Sequence, residues 1–473
     1  MRPYKILIFL AAILLTLGTI CYLWGGAPVS IGPLEIRLPE FSLFSVANHE
    51  RVSAEDLLAE SAQKMDIESV SDSIPDTSEE YRDTLQFYHS FMAENKARLH
   101  LPGGDTCVSV LAPLFTALDK ASQQSVHIMH YGDSQVEGDR ITGYLRSRFQ
   151  EEYGGNGPGL LPLVQNIGAM SVGQTLNDTL TSYMAGGMLG KRASHKCYGA
   201  MAQFAHVDAG EDAPLLLTVN AKKVAGFKRI QLFAANIADS LTIKLNNSSQ
   251  TLSAEDSLQH LTWRLKRNAK RLNVGFVGEA DILGLYIDAD TGVTVTNIPL
   301  RGSDGTFFSR IQKKEFGDML TALNTRLVLL EFGGNALPMM KDSVRIAKYG
   351  ISFAKQIKYI KTACPEAVVI VIGPADMNTK VNGVLQTHPM LEPLIEQMRQ
   401  STLNCGAIYW DMYQAMGGCN SMKVWAEHQP AWAGADYIHF TRKGADQIAN
   451  LLWRSLMIYR DYWRLTSNAT MDK

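Results

Sequence analysis

The chain has no long run of lysine and arginine, no CxxC or zinc-like cysteine spacing, and no internal repeat. Each absence removes a class of function. With 45 basic residues against 47 acidic ones and a net charge of −2, it offers no basic stripe to a phosphate backbone, and no nucleic-acid partner is expected. The six cysteines are not spaced for a structural zinc site. One of them, Cys21, lies in an apolar N-terminal run. The other five (Cys107, Cys197, Cys364, Cys405, Cys419) are an odd number, which forbids complete pairing. A Cys405–Cys419 bridge in an oxidising compartment and buried free thiols both stay open.

Long apolar runs are also scarce, with one exception. Residues 6–24 carry no charge over 19 positions, which as a helix span roughly 28 Å, about one bilayer core. Arg2 and Lys5 precede the run and hold that end inside. The rival reading is a cleaved signal peptide. Its apolar region is usually about 7–15 residues, with a small-residue cleavage site after it. Here the run is longer and the residues before Gly25 are bulky. The expectation is a single-pass anchor over residues 1–25, inserted in the inner membrane through residues 5–24, with the remaining chain on the periplasmic side.

What is present is enough for a large folded body. The 473 residues, 46% of them hydrophobic, predict more than one domain. Residues 26–105 are acidic and polar, with "SVSDSIPDTSEEYRD" at the centre, and read as a stalk or linker with some helix around 54–65 and 78–97. From Val126 the pattern becomes strand, turn, helix. Gly155 to Leu163, "GNGPGLLPL", is too rich in Gly and Pro for either element. Short β-like runs follow for about 130 residues, as in a small β-sandwich, and "DADTG" at Asp288–Gly292 reads as a hairpin turn. After Leu300, helices alternate with uninterrupted apolar strands, "RLVLLEF", "AVVIVIG" and "GAIYW", the pattern of a parallel sheet covered on both faces. The β-rich stretch, placed at 165–297, therefore interrupts an α/β domain formed by residues 106–164 and 298–473.

In an open parallel sheet, sites gather at the carboxyl ends of strands. Four polar groups fall there: Ser134 in "HYGDSQ", the Gly302–Gly305 turn, Asn335 in "FGGN", and Asp436 with His439 before the last helix. Each alone is ordinary. Ser134 can be a helix cap, Asn335 a left-handed turn residue, and Asp436 and His439 surface groups. Together they supply complementary roles. Ser134 is a nucleophile with a free backbone N–H, His439 a base, and Asp436 its orienter. Asn335 and a glycine N–H are oxyanion donors. No metal or cofactor enters this chemistry. Trp425 and Trp432 are candidates for stacking on sugar or for core packing, Asp376 and Asp411 for pocket walls or turn caps, and Asp139 with Arg140 for a charge pair on the helix face.

The four segments resemble, in order, the blocks of the SGNH (GDSL-like) hydrolases: Gly132–Gln135, Gly302–Thr306, Gly333–Asn335 and Asp436–His439. The resemblance covers about residues 106–465. It implies a flavodoxin-like three-layer α/β/α domain, with Ser134, His439 and Asp436 as the triad and Asn335 and Gly305 in the oxyanion hole. Gly302 is the alternative glycine. "GDSQVEGDRITGYLRSRFQ", "GGNGPGLLP", "VIGPADM" and "WDMYQAMGGCNSMKVW" look like the subgroup containing peptidoglycan O-acetylesterases, in which a carbohydrate-binding-like β module is inserted after the first block. Two positions depart from the pattern. Ala336 stands where many relatives carry Asp, and Gln135 where Leu or His is commoner. Gln135 is given no catalytic role. The resemblance implies an esterase removing acetyl groups from an acetylated envelope polysaccharide. One alternative is an O-acetyltransferase supplied by a membrane O-acyltransferase partner; another is a glycan-binding protein without activity.

Overall fold

The computed structural model describes residues 53–62, 65, 78–222, 226–246, 248–255 and 257–471, together with 9–10, 12–13, 15–17, 19, 29–31 and 34–36. The chain divides into two units, residues 1–52 and 53–473. In the first unit Val29–Ile31 pairs antiparallel with Leu34–Ile36. The expected membrane span falls largely outside the described residues; among those described, no helix is long and apolar enough to cross a membrane.

The second unit is built on a six-stranded sheet. Its strands are β1 (Leu99–His100), β2 (Ser125–Gly132), β3 (Gly292–Pro299), β4 (Thr325–Glu331), β5 (Val368–Ile372) and β6 (Ile408–Trp410), arranged β3-β2-β4-β5-β6-β1. All but β1 are parallel to their neighbours. Numbered by themselves, the five parallel strands lie in the order 2-1-3-4-5, which is flavodoxin-like. The order reverses between β2 and β4, and a crevice at such a switch point is where ligands bind in open α/β sheets. Strand β2 is buried at all eight positions, and β5 (VVIVI) at all five. Burial on both faces is why β5 reads as an unbroken apolar run, whereas β2 buries His127 and His130 among its apolar residues.

Ten antiparallel strands between Gly159 and Asp288 form a second sheet with an apolar core of its own, including Leu217, Val219, Ile230, Ile243 and Phe276. Its spine is the 18-residue strand Arg271–Asp288, which pairs with five others.

Three details differ from the sequence reading. First, the segment read as a stalk to residue 105 belongs to the folded body from Ser53. Its helices, Ala54–Ala62 and Ser78–Glu94, bury Leu58, Tyr88, Phe91 and Met92. Its last residues form β1, and the carbonyls of Ala97 and Leu99 accept from the Trp410 indole and the Tyr459 hydroxyl, both at 2.8 Å. The acidic residues between these positions hid an apolar face. Second, "DADTG" is not a hairpin but the crossover from the long strand of the β module to β3. Third, the module therefore runs from Gly159, whose strand pairs with Tyr286 and its neighbours, to Asp288, and β3 belongs to the parallel sheet. Strand β3 was misplaced because it buries polar side chains: the Thr296 hydroxyl meets His127 Nε2 at 2.6 Å and accepts from the Leu160 N–H at 2.8 Å. The five described cysteines are free thiols.

Candidate active site

Strand β2 ends at Gly132, where a Cβ would meet the Val136 side chain at 2.7 and 2.8 Å. The close approach keeps the turn tight. Ser134 opens a 3₁₀ segment, Ser134–Asp139, that kinks at Glu137 and Gly138, but does not cap it. The cap is Asp133, whose carboxylate accepts from the Gln135 N–H at 2.9 Å. The Ser134 hydroxyl is thus left for another partner, and that partner is His439: Oγ lies 2.7 Å from Nε2.

His439 Nδ1 lies 2.7 Å from Asp436 Oδ2, while Asp436 Oδ1 accepts from the Ile438 and His439 N–H groups, both at 3.1 Å. One carboxylate therefore shapes the turn and orients the ring. Tyr437 at its centre has a left-handed φ of 56°, a strained conformation for a non-glycine residue. Partial burial works against the Asp436 charge. The hydrogen bonds from the His439 ring and the two N–H groups outweigh it, and the carboxyl titrates below the usual aspartate range.

Asn335 follows β4, across the switch point from Ser134. Its amide nitrogen donates to Asp133 Oδ2 at 2.8 Å and to the Ser303 carbonyl at 3.3 Å. Asp133 is buried, and desolvation pushes its carboxyl up to about 7, against the bonds from Gln135 and Asn335 that favour its charge. The Gly305 N–H donates to Ser303 Oγ at 3.2 Å. Among the described residues the Ser134 and Gly302 N–H groups have no partner. The structure thus brings Ser134, His439, Asp436 and Asn335 to one end of the sheet, and places the Gly302–Gly305 loop beside Asn335.

Two side chains that sequence reasoning left out join the halves of the site. The Gln135 amide donates to the Ile438 carbonyl at 2.6 Å, and its oxygen accepts from the Phe440 N–H at 3.3 Å. It thereby grips the backbone on either side of His439. Arg140 donates to the carbonyls of Ser134, Phe440 and Glu137. The one available signal was a glutamine where an apolar residue or histidine is usual. The expected Asp139–Arg140 pair is not made: Asp139 is buried against Arg146, with two bonds of 3.1 Å. Trp425 and Trp432 are core, packed edge to face at 5.4 Å, not a sugar platform. Asp376 ties Thr387 to the Met422 N–H, and Asp411 caps the short helix Met412–Ala415. Among the described residues no group of acidic, histidine and cysteine side chains could hold a metal ion.

The chain was compared with known proteins on this geometry. No family model and no curated protein sequence matches it. A solved structure entitled "Peptidoglycan O-acetylesterase in action, 5 min" superposes with a TM-score of 0.64 over 76% of this chain and 98% of that one, at 22% identity.

The fold is that of this O-acetylesterase structure.

Two family two carbohydrate esterases also match. One, from Cellvibrio japonicus, is 10% identical over 60% of this chain and 99% of its own, with a TM-score of 0.26. The other, from Clostridium thermocellum in complex with cellohexaose, is 9% identical over 53% of this chain and 93% of its own, with a TM-score of 0.22. Scores this low do not bear on the fold. At 22% identity the O-acetylesterase likeness is one of architecture: an α/β domain, with Ser134 following the strand beside the switch point.

Proposed function

We propose that the protein is a membrane-anchored serine esterase that removes O-acetyl groups from an envelope polysaccharide such as peptidoglycan. The observation that carries this reading is the unbroken chain from Ser134 through His439 to Asp436, two contacts of 2.7 Å. Membrane anchoring and a periplasmic location rest on the apolar run at residues 6–24 alone. The likeness to a peptidoglycan O-acetylesterase supports the choice of substrate.

In the first half-reaction Ser134 Oγ attacks the acetyl carbonyl while His439 Nε2 takes its proton. Asp436 accepts from Nδ1–H, fixes the tautomer and stabilises the imidazolium. Negative charge develops on the carbonyl oxygen. The Ser134 N–H, the Asn335 amide and a glycine N–H of the Gly302–Gly305 loop are the donors for it. Gly305 must release Ser303 Oγ, and Asn335 the Ser303 carbonyl, before either can donate, whereas the Ser134 and Gly302 N–H groups are already free. The intermediate collapses as the sugar oxygen leaves with the proton from His439, and Ser134 carries the acetyl group. Water then attacks with His439 again as base, freeing acetate and Ser134.

The test is to incubate the protein with O-acetylated peptidoglycan and weigh the glycan. Loss of acetyl mass, absent with Ser134→Ala, is the expected result. No loss with either protein overturns the reading. Gain of acetyl mass from an added donor would mean that a sugar hydroxyl, not water, takes the acyl group.

A further inference from the structure

Beside the loop that carries Gly305 lies an open pocket of about 620 Å³, within the usual range for a small-molecule site. One wall is the segment Ala185–Tyr198 of the β module. The others are Thr306–Arg310, which continues the Gly302–Gly305 loop, and Ser352–Gln356 of the helix Ser343–Ala363. Four cationic side chains line it: Arg192, Lys196, Arg310 and Lys355. No carboxylate does. Among the described residues none of the four has an ion-pair partner.

The charge is held in place. The Arg192 guanidinium donates to the carbonyls of Met184, Gly186 and Gly187, which fix its position without neutralising it. The Lys196 carbonyl accepts from the Gln312 N–H at 2.8 Å and ties this wall to the α/β domain. The Ser309 N–H donates to Gln356 Oε1 at 2.8 Å and joins the other two walls. Asp304 and Asp281 do not line the pocket; Asp304 accepts from the Thr306 N–H and hydroxyl, and Asp281 is bonded to His206 and Asn236. The same module segment reaches the catalytic side, because a Cβ on Gly302 would meet the Met188 sulfur at 2.2 Å. One loop of the β module thus borders both Gly302 and the basic pocket.

We infer that this pocket binds a carboxylate borne by the polysaccharide, next to the sugar whose ester Ser134 attacks. Unneutralised cations around a cavity lined by hydroxyl and amide groups suit a carboxylated sugar, which offers charge and hydroxyls together. The inference rests on the esterase reading for the position of the acetylated sugar, but binding can be measured without turnover.

The test uses the full chain carrying Ser134→Ala, with oligogalacturonate as the anionic probe and xylo-oligosaccharide as the neutral one, by titration calorimetry. Tighter binding of the anionic oligomer, weakened about tenfold by Arg310→Glu with Lys355→Glu and also by salt, is expected. Neutral oligomer binding should change far less. If charge reversal lowers the melting temperature, Arg310→Gln with Lys355→Gln replaces it and must still weaken the anionic oligomer selectively. Equal binding of the two oligomers, or an anionic affinity untouched by the substitutions, overturns the inference. Charge-selective binding by a protein that releases no acetate would overturn the esterase reading and leave the pocket standing. Acetate release without charge selectivity would do the reverse.

Discussion

The two halves of the site meet at 2.7 Å but are built in opposite ways. Ser134, the proposed nucleophile, stands at the end of a fully buried strand, on a turn capped by buried Asp133. Beneath it His130 pairs with Glu331 at 3.0 Å and with Thr142 at 2.9 Å, all buried. His439, the proposed base, sits on a surface turn; the His439 and Asp436 side chains are 35% and 49% exposed. A turn of that kind does not hold a ring to a few tenths of an ångström by packing. Here the rigid half holds the exposed one, through Gln135 on both flanks of His439 and Arg140 bridging Ser134 to Phe440. Precision at the base is thus lent by the nucleophile segment.

The comparison can be broken in order of expected effect. Ser134→Ala removes the reacting atom, and turnover of p-nitrophenyl acetate should fall by about 10⁴-fold or more; a rate near the parent's would mean the rigid half carries no chemistry. Asn335→Ala takes away an oxyanion donor and a partner of Asp133, for a loss of about 10²–10³ in kcat. Gln135→Leu leaves every reacting group in place and tests the link itself. We expect kcat to fall about 10- to 100-fold with KM nearly unchanged, and fluorophosphonate labelling of Ser134 to slow in step. An unchanged kcat would show that the His439 turn positions itself.

Asp133→Asn gives the smallest effect, read in the pH dependence of stability. Burial pushes the Asp133 carboxyl up to about 7, so between the unfolded value near 4 and about 7 the folded state binds more protons than the unfolded one. Its contribution to stability is full below about 4 and is lost as pH rises through 7. Thermal unfolding across this range should slope downward more steeply in the parent than in Asp133→Asn; parallel slopes would contradict it. Asp411, raised by burial to about 6, slopes the same way in both proteins and cancels in the difference.

The α/β alternation and the positions of Ser134, Asn335 and His439 at one sheet end were legible, because buried parallel strands leave unbroken apolar runs and sites follow them. What escaped was of two kinds. Strand β3 was placed in the β module, and the helices before β1, though read as helices, in a stalk, because both bury their contacts behind polar letters, Thr294 and Thr296 in one case and acidic neighbours in the other. Gln135 and Arg140 act through backbone carbonyls and N–H groups far along the chain, and no local pattern announces a side chain that reaches 303 residues to its partner. For the tryptophans the core alternative holds: Trp425, wholly buried, fills the core under the base turn.

The central claim is that Ser134 carries the acyl group. Mixing the protein with excess p-nitrophenyl acetate, quenching in acid within the first turnovers and weighing the peptide that contains Ser134 tests it directly. The account predicts one added acetyl group on that peptide, absent in Ser134→Ala. Steady turnover with no acetylated peptide, or acetylation that survives Ser134→Ala, would contradict it.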